Sequence, residues 1–231
     1  MGEWIKVTAE DGHELSAYVA KPSGDPIGAL VLVQEIFGLN DHIRKTCDDF
    51  ANDGFLVVAP AIFDRIERDV QLDYSAEDKK QAFALYPKLE PEKSLLDVAA
   101  AYGYAKSAGK VGVIGYCYGG LMAWLSAVRG KSHGMDLGAA VGYYAGGIGK
   151  FAKEEPACPV MLHFGAEDSH IGADQIDAVR DAHPEVQVFV YEGAGHAFSR
   201  TPDPDSYNAD ASKLARTRSI EFLKQNLEQI P

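Results

Sequence analysis

Val111-Gly-Val-Ile-Gly-Tyr-Cys-Tyr-Gly-Gly120 opens as a short apolar run and closes on paired glycines, with the helix-like segment Leu121 to Ala127 directly after it. Cys117 thus lies between Gly115 and Gly119 in the pattern Gly-x-nucleophile-x-Gly. In that pattern a sharp strand-to-helix turn pushes the central side chain outward from a strained backbone. Glycine is needed on both flanks because a Cβ there would collide with the tight turn or with neighbouring elements. The helix that follows adds a positive dipole end near the sulfur, which favours thiolate over thiol. Alone, the motif also admits a buried, inert thiol at a glycine-rich turn, since free cysteine is among the most buried residue types.

Outward from this stretch, Ala29 to Val33, Phe55 to Ala59, Val111 to Ile114, Ala139 to Tyr143, Val160 to Phe164 and Val186 to Val190 are short continuous apolar runs. Runs of this length suit strands buried on both faces of a mainly parallel sheet. The chain opens differently: Trp4 to Ala9 and Glu14 to Ala20 alternate in polarity around the turn Asp11-Gly12, which predicts two antiparallel strands. Longer segments separate the runs, as βαβ crossovers require. Helices are expected over Asp41 to Asp53, Glu92 to Ser107, Ala173 to Ala182 and Tyr207 to Leu227. The fold class is therefore α/β, with a mostly parallel eight-stranded sheet and helices on both faces. The charged stretch Arg65 to Pro91 contains a helical segment, Ala76 to Tyr86, broken from the next helix by Pro87 and Pro91. It reads either as a surface excursion covering the site or as an ordinary connection.

Two further residues complete a catalytic set. Cys117 follows the fifth strand, Asp168 follows the seventh in Phe164-Gly-Ala-Glu-Asp168, and His196 follows the eighth in Tyr191-Glu-Gly-Ala-Gly-His196. Nucleophile, acid, histidine is the chain order of the α/β-hydrolase fold, and catalytic groups in parallel sheets gather at the carboxyl ends of strands. The imidazole of His196 can take a proton from the nucleophile and return it to a leaving oxygen. Asp168 would orient that imidazole, although the adjacent Glu167 is open to the same role. Val33-Gln-Glu-Ile-Phe-Gly38 ends the third strand, where this fold supplies a backbone donor, so the N–H groups of Ile36 and Tyr118 are the expected oxyanion hole. Of the remaining histidines, His13, His42, His133 and His183 read as solvated, His163 as a core residue within the seventh strand, and His170 as outside the catalytic position. No paired ligand spacing indicates a metal.

The 231 residues suit one domain spanning 1–231, with 46% hydrophobic and 24% charged residues as in ordinary globular chains. A net charge of −12 disfavours nucleic acid and anionic membrane as partners, because both are polyanions. Met1 to Tyr18 lacks the apolar stretch of a secretory signal, and no run approaches the ~20 apolar residues of a membrane span. Cys47, Cys117 and Cys158 stand far apart without disulfide or zinc spacing, which suits a reducing compartment. A cytoplasmic monomer is the expectation.

Gln34-Glu-Ile-Phe-Gly-Leu39, Gly112-Val-Ile-Gly-Tyr-Cys-Tyr-Gly-Gly120, Phe164-Gly-Ala-Glu-Asp168 and Gly195-His-Ala-Phe-Ser-Arg200 resemble the dienelactone hydrolase family, and the likeness covers nearly the whole chain. The resemblance implies a Cys-His-Asp triad in a hydrolase without a large cap domain. Its namesake substrate is 4-carboxymethylenebut-2-en-4-olide, and it needs no cofactor. The resemblance further implies that Glu35 keeps the resting thiol turned away until substrate binds, and that two arginines and a tyrosine hold the substrate carboxylate. Arg200 matches one arginine, while Lys79 stands where the second is expected and Phe83 where the tyrosine is. Lysine lacks the bidentate fork and phenylalanine has no hydroxyl. A small ester or lactone is the expected substrate. Still open on the sequence are a thioesterase or acyltransferase with the same triad, a hydrolase-fold binding protein, and a purely structural Glu35–Arg200 bridge.

Overall fold

The apolar runs do become strands. In the computed structural model, which describes residues 2–228, they form one eight-stranded sheet in the order β1-β2-β4-β3-β5-β6-β7-β8. Met1 and residues 229–231 lie outside the described residues. The strands are β1 (Glu3–Thr8), β2 (Glu14–Ala20), β3 (Gly28–Val33), β4 (Phe55–Pro60), β5 (Val111–Tyr116), β6 (Leu137–Tyr143), β7 (Val160–Gly165) and β8 (Gln187–Tyr191). Their ends depart from the sequence expectation by no more than one or two residues. β1 and β2 pair antiparallel, β2 pairs antiparallel with β4, and all remaining pairs are parallel. β3, β4, β5 and β7 are buried along their whole length, as strands covered on both faces must be. β8 closes one edge and is only half-buried.

The helices are α1 (Asp41–Asn52), α2 (Ala76–Leu85), α3 (Pro91–Ala105), α4 (Tyr118–Arg129), α5 (Ala173–Ala182) and α6 (Ala209–Leu227). From β3 the chain steps to β4, then reverses across the sheet to β5. Crossovers of one hand in opposite directions place α1 and α3 on opposite faces. α4 joins α3, and α6 joins α1, where Arg216 donates to Asp53 Oδ2 at 2.6 Å. The reversal lies between β3 and β5, so their carboxyl ends open a crevice, and Cys117 stands at its floor.

Two helix starts differ from the expectation by more than one residue. α4 begins at Tyr118 because the glycines after Cys117 are helical and packed against neighbouring backbone: a Cβ on Gly119 would meet Val33 O at 2.1 Å, and one on Gly120 would meet Tyr143 O at 2.3 Å. α6 begins at Ala209, since Asn208 caps it by accepting from the Ala211 N–H at 3.0 Å. At the other end of α6, Leu227 settles over three glycines. A Cβ on Gly28, Gly112 or Gly138 would come within 3.0 Å of its side chain. Mid-helix, Ser219 Oγ lies 2.7 Å from Tyr143 Oη and 3.0 Å from His163 Nε2, while His163 Nδ1 lies 2.8 Å from Tyr191 Oη. His163 is thus the core histidine expected, and burial pushes its pKa down to about 3.

His183 is not solvated. It follows α5, where its N–H bonds Val179 O at 2.8 Å, and this turn folds the ring inward to 5.6 Å from Trp124 of α4. His42 is half-buried beside Tyr74, so neither of these two is the free surface group expected. The stretch between β4 and α3 is the covering excursion: it carries α2 across the mouth of the crevice, with Lys79 and Phe83 facing the cavity. No helix among the described residues is long and apolar enough to cross a membrane.

Candidate active site

The turn after β5 forces its central residue into an unusual backbone. Cys117 has φ 56° and ψ −114°, a left-handed conformation that an L-residue holds only under constraint. The constraint is visible on both sides. Its N–H is tied to Tyr143 O at 3.0 Å, and a Cβ on Gly115 would lie 1.9 Å from Gly119 O. The glycines are therefore a steric requirement, as the motif predicts.

The loops after β7 and β8 are spliced together by Ala166 N–H to Tyr191 O and Glu167 N–H to Ala194 O, both at 2.9 Å. This brings Asp168 under His196. Asp168 Oδ2 lies 2.7 Å from His196 Nδ1, and His196 Nε2 lies 3.2 Å from Cys117 Sγ. The other oxygen, Asp168 Oδ1, accepts the His170 N–H at 2.8 Å, which fixes the carboxylate. Glu167 is exposed, so of the two candidate acids the geometry selects Asp168. Burial alone would lower the pKa of His196. The hydrogen bonds to Asp168 and Cys117, with their negative charge, outweigh it and raise the pKa to about 10. Two rings clasp the imidazole, Tyr144 and His170, each with its centroid 5.1 Å away. Strain concentrates here: Cys117, Tyr144 and Ala197 are all non-glycine residues at positive φ.

Ile36 and Tyr118 flank Cys117, and neither backbone N–H has an acceptor among the described residues. Tyr118 is the first residue of α4, where amides have no intrahelical partner. Its hydroxyl is anchored 2.8 Å from Ser94 Oγ of α3. A cavity of about 420 Å³ opens above the sulfur, bordered by Ile36, Phe83, Tyr86, His170 and Arg200. That volume suits a small molecule.

Glu35 departs from the expectation. It is buried, and Arg200 grips it through two bonds, Nε to Oε2 and Nη2 to Oε1, both at 3.0 Å. The sulfur of Cys117 is hydrogen-bonded with His196, not with Glu35. The carboxylate therefore does not hold the sulfur away, because a bidentate guanidinium has taken both of its oxygens. Arg200 itself packs against the edge-to-face pair Phe37 and Tyr74, with its central carbon 4.9 and 4.7 Å from the ring centroids. Its Nη1 donates to Asp203 Oδ2 at 3.1 Å, and Lys79 Nζ lies 3.4 Å from the same oxygen.

Residues 15–227 match the dienelactone hydrolase family. The chain belongs to this family. Carboxymethylenebutenolidase of Pseudomonas putida is 36% identical to it, with 96% of this chain and 95% of the relative covered. Carboxymethylenebutenolidase 1 of Cupriavidus pinatubonensis is 29% identical over 96% and 97% of the two chains. Among solved structures, a Klebsiella pneumoniae protein provisionally described as a dienelactone hydrolase superposes with a TM-score of 0.82 at 26% identity, covering 97% of this chain and 99% of that one. This member of the dienelactone hydrolase family is an ester or lactone hydrolase with the α/β-hydrolase fold and no large cap.

Within this hydrolase, Cys117, His196 and Asp168 converge as the sequence predicts, and Ile36, Tyr118, Lys79, Phe83 and Arg200 border the same cavity or its floor. Glu35 is drawn instead into an ion pair with Arg200. Tyr74 and Asp203 are site residues that sequence reading passed over, and His170, expected outside the catalytic position, lies with its ring against His196 in the cavity wall. Only His170 carried a local signal: Asp followed two residues later by a backbone N–H it can accept from is an Asx turn.

Proposed function

We propose that this hydrolase cleaves small esters or lactones through a thioester formed on Cys117. The thiolate attacks the carbonyl carbon, and the resulting oxyanion is held by the N–H groups of Ile36 and Tyr118. Collapse breaks the carbon–oxygen bond, and the departing alkoxide takes the proton of the His196 imidazolium. A lactone opens at this step with its hydroxyl still tethered to the acyl group. Water then gives a proton to the neutral His196 and attacks the thioester, releasing the carboxylic acid and restoring thiolate and imidazolium. Asp168 keeps the imidazole oriented throughout.

The observation that carries this reading is the unbroken chain Sγ to Nε2 at 3.2 Å and Nδ1 to Oδ2 at 2.7 Å. The pKa of His196, raised to about 10, keeps the imidazolium beside the sulfur at neutral pH. Acid quenching during turnover of a 4-nitrophenyl ester tests it: intact-mass analysis should find the acyl group on Cys117. Cys117→Ala should lower kcat by at least about 10³-fold. Ordinary turnover by that variant would sink the proposal.

A further inference from the structure

The part of the cavity wall that bears Arg200 and Lys79 reads as cationic in sequence but is neutral in space. Arg200 already spends Nε and Nη2 on Glu35 and Nη1 on Asp203, and its guanidinium packs against the adjacent rings of Phe37 and Tyr74. Lys79 Nζ stands 3.4 Å from Asp203. Asp203 is only 3% exposed and is fixed further by the hydroxyl of Ser206, which donates at 3.1 Å. Burial raises its pKa, but the bonds from Arg200 and Ser206 and the nearby charge of Lys79 prevail and lower it. Two carboxylates therefore balance two cations. An arriving substrate carboxylate would meet Asp203 as a like charge and would find no unpaired cation to offset its lost hydration. The remaining rim carries no further acidic or basic side chain apart from the histidines: Phe83 is 59% exposed beside the opening, with Tyr86 next to it.

We infer that Asp203 is a specificity-determining residue. It occupies the cationic groups of the cavity, so the enzyme selects esters and lactones with an uncharged acyl part and discriminates against those bearing a carboxylate. Selectivity here is achieved by a group that repels the wrong substrate. The inference rests on the hydrolase reading above.

The test compares 4-nitrophenyl butyrate with mono-4-nitrophenyl succinate, which share a leaving group and chain length and differ by one charge. The wild type should favour the butyrate by about tenfold or more in kcat/KM. In Asp203→Asn the succinate-to-butyrate ratio should rise by about tenfold, because Lys79 and Arg200 lose one of the two carboxylates that balance them, and adding Lys79→Met should cancel that gain. Both esters are measured on one preparation, so partial unfolding lowers both rates and leaves their ratio intact. A wild type that prefers the succinate, or a ratio unmoved by Asp203→Asn, would overturn the inference while the hydrolase reading stands. Turnover of neither ester would overturn both.

Discussion

Asp168→Asn replaces one oxygen by an amide of the same shape. His196 Nδ1 would then face either a donor or a neutral acceptor, and the ring loses both its fixed tautomer and the charge that stabilises its protonated form. kcat for a 4-nitrophenyl ester should fall by about 10⁴-fold with little change in KM, and a fall of less than tenfold would move the role of acid elsewhere. Cys117, Asp168 and His196 were legible in sequence because each follows an apolar run that the fold must turn into a strand. The partners of Glu35 were not. Glu35 and Arg200 are separated by 165 positions, and only the docking of the loop after β8 onto the loop after β3 brings them together. Asp203, in Thr201-Pro-Asp-Pro204, reads as a solvated loop carboxylate until Arg200 turns back on it.

Among the elements, α1 shows how one cap can serve two ends of the structure. Asn40 Oδ1 accepts the Ile43 N–H at 3.1 Å, while Nδ2 donates to Leu72 O at 2.9 Å and to Tyr74 Oη at 3.0 Å. The side chain thus starts the helix and pins the excursion that carries α2. Asn40→Ala removes the cap and leaves a buried carbonyl without its donor, so the cost should be about 2 to 3 kcal/mol. Urea unfolding would show this as a lowered midpoint at unchanged slope; a shift below about 0.5 kcal/mol would mean the contacts are not made. The strands were readable because buried parallel strands leave no polar alternation to confuse them. The start of α4 was less so, since Gly119-Gly120 resembles a loop by propensity, and only close packing on Val33 O and Tyr143 O makes it helical.

For the molecule as a whole, the buried network around His163 sets a dependence of stability on acidity. His163 has a native pKa of about 3 against an ordinary value of 6.5. Above pH 6.5 neither state binds the proton, and this group contributes no slope. Below it the unfolded chain takes up a proton that the native chain refuses, so stability falls as the pH drops from 6.5 towards 3. Between pH 7 and 5 the wild type should lose about 2 kcal/mol more than His163→Phe, measured by urea unfolding at both values. Equal losses would show that the ring is reached by solvent. The variant leaves no orphaned hydroxyl, because Ser219 keeps Tyr143 and Ala215 as partners and Tyr191 keeps Arg218.

The seat of Leu227 on Gly28, Gly112 and Gly138 also bears on how the molecule is made. A ribosome releases all three glycines well before the leucine that fills the furrow between them. At about 5 to 20 residues per second, the interval from Gly138 to Leu227 lasts roughly 5 to 20 seconds. During it the nascent sheet presents a bare, side-chain-poor trough to solvent or to a chaperone, and folding can only conclude when α6 arrives as its closing wedge.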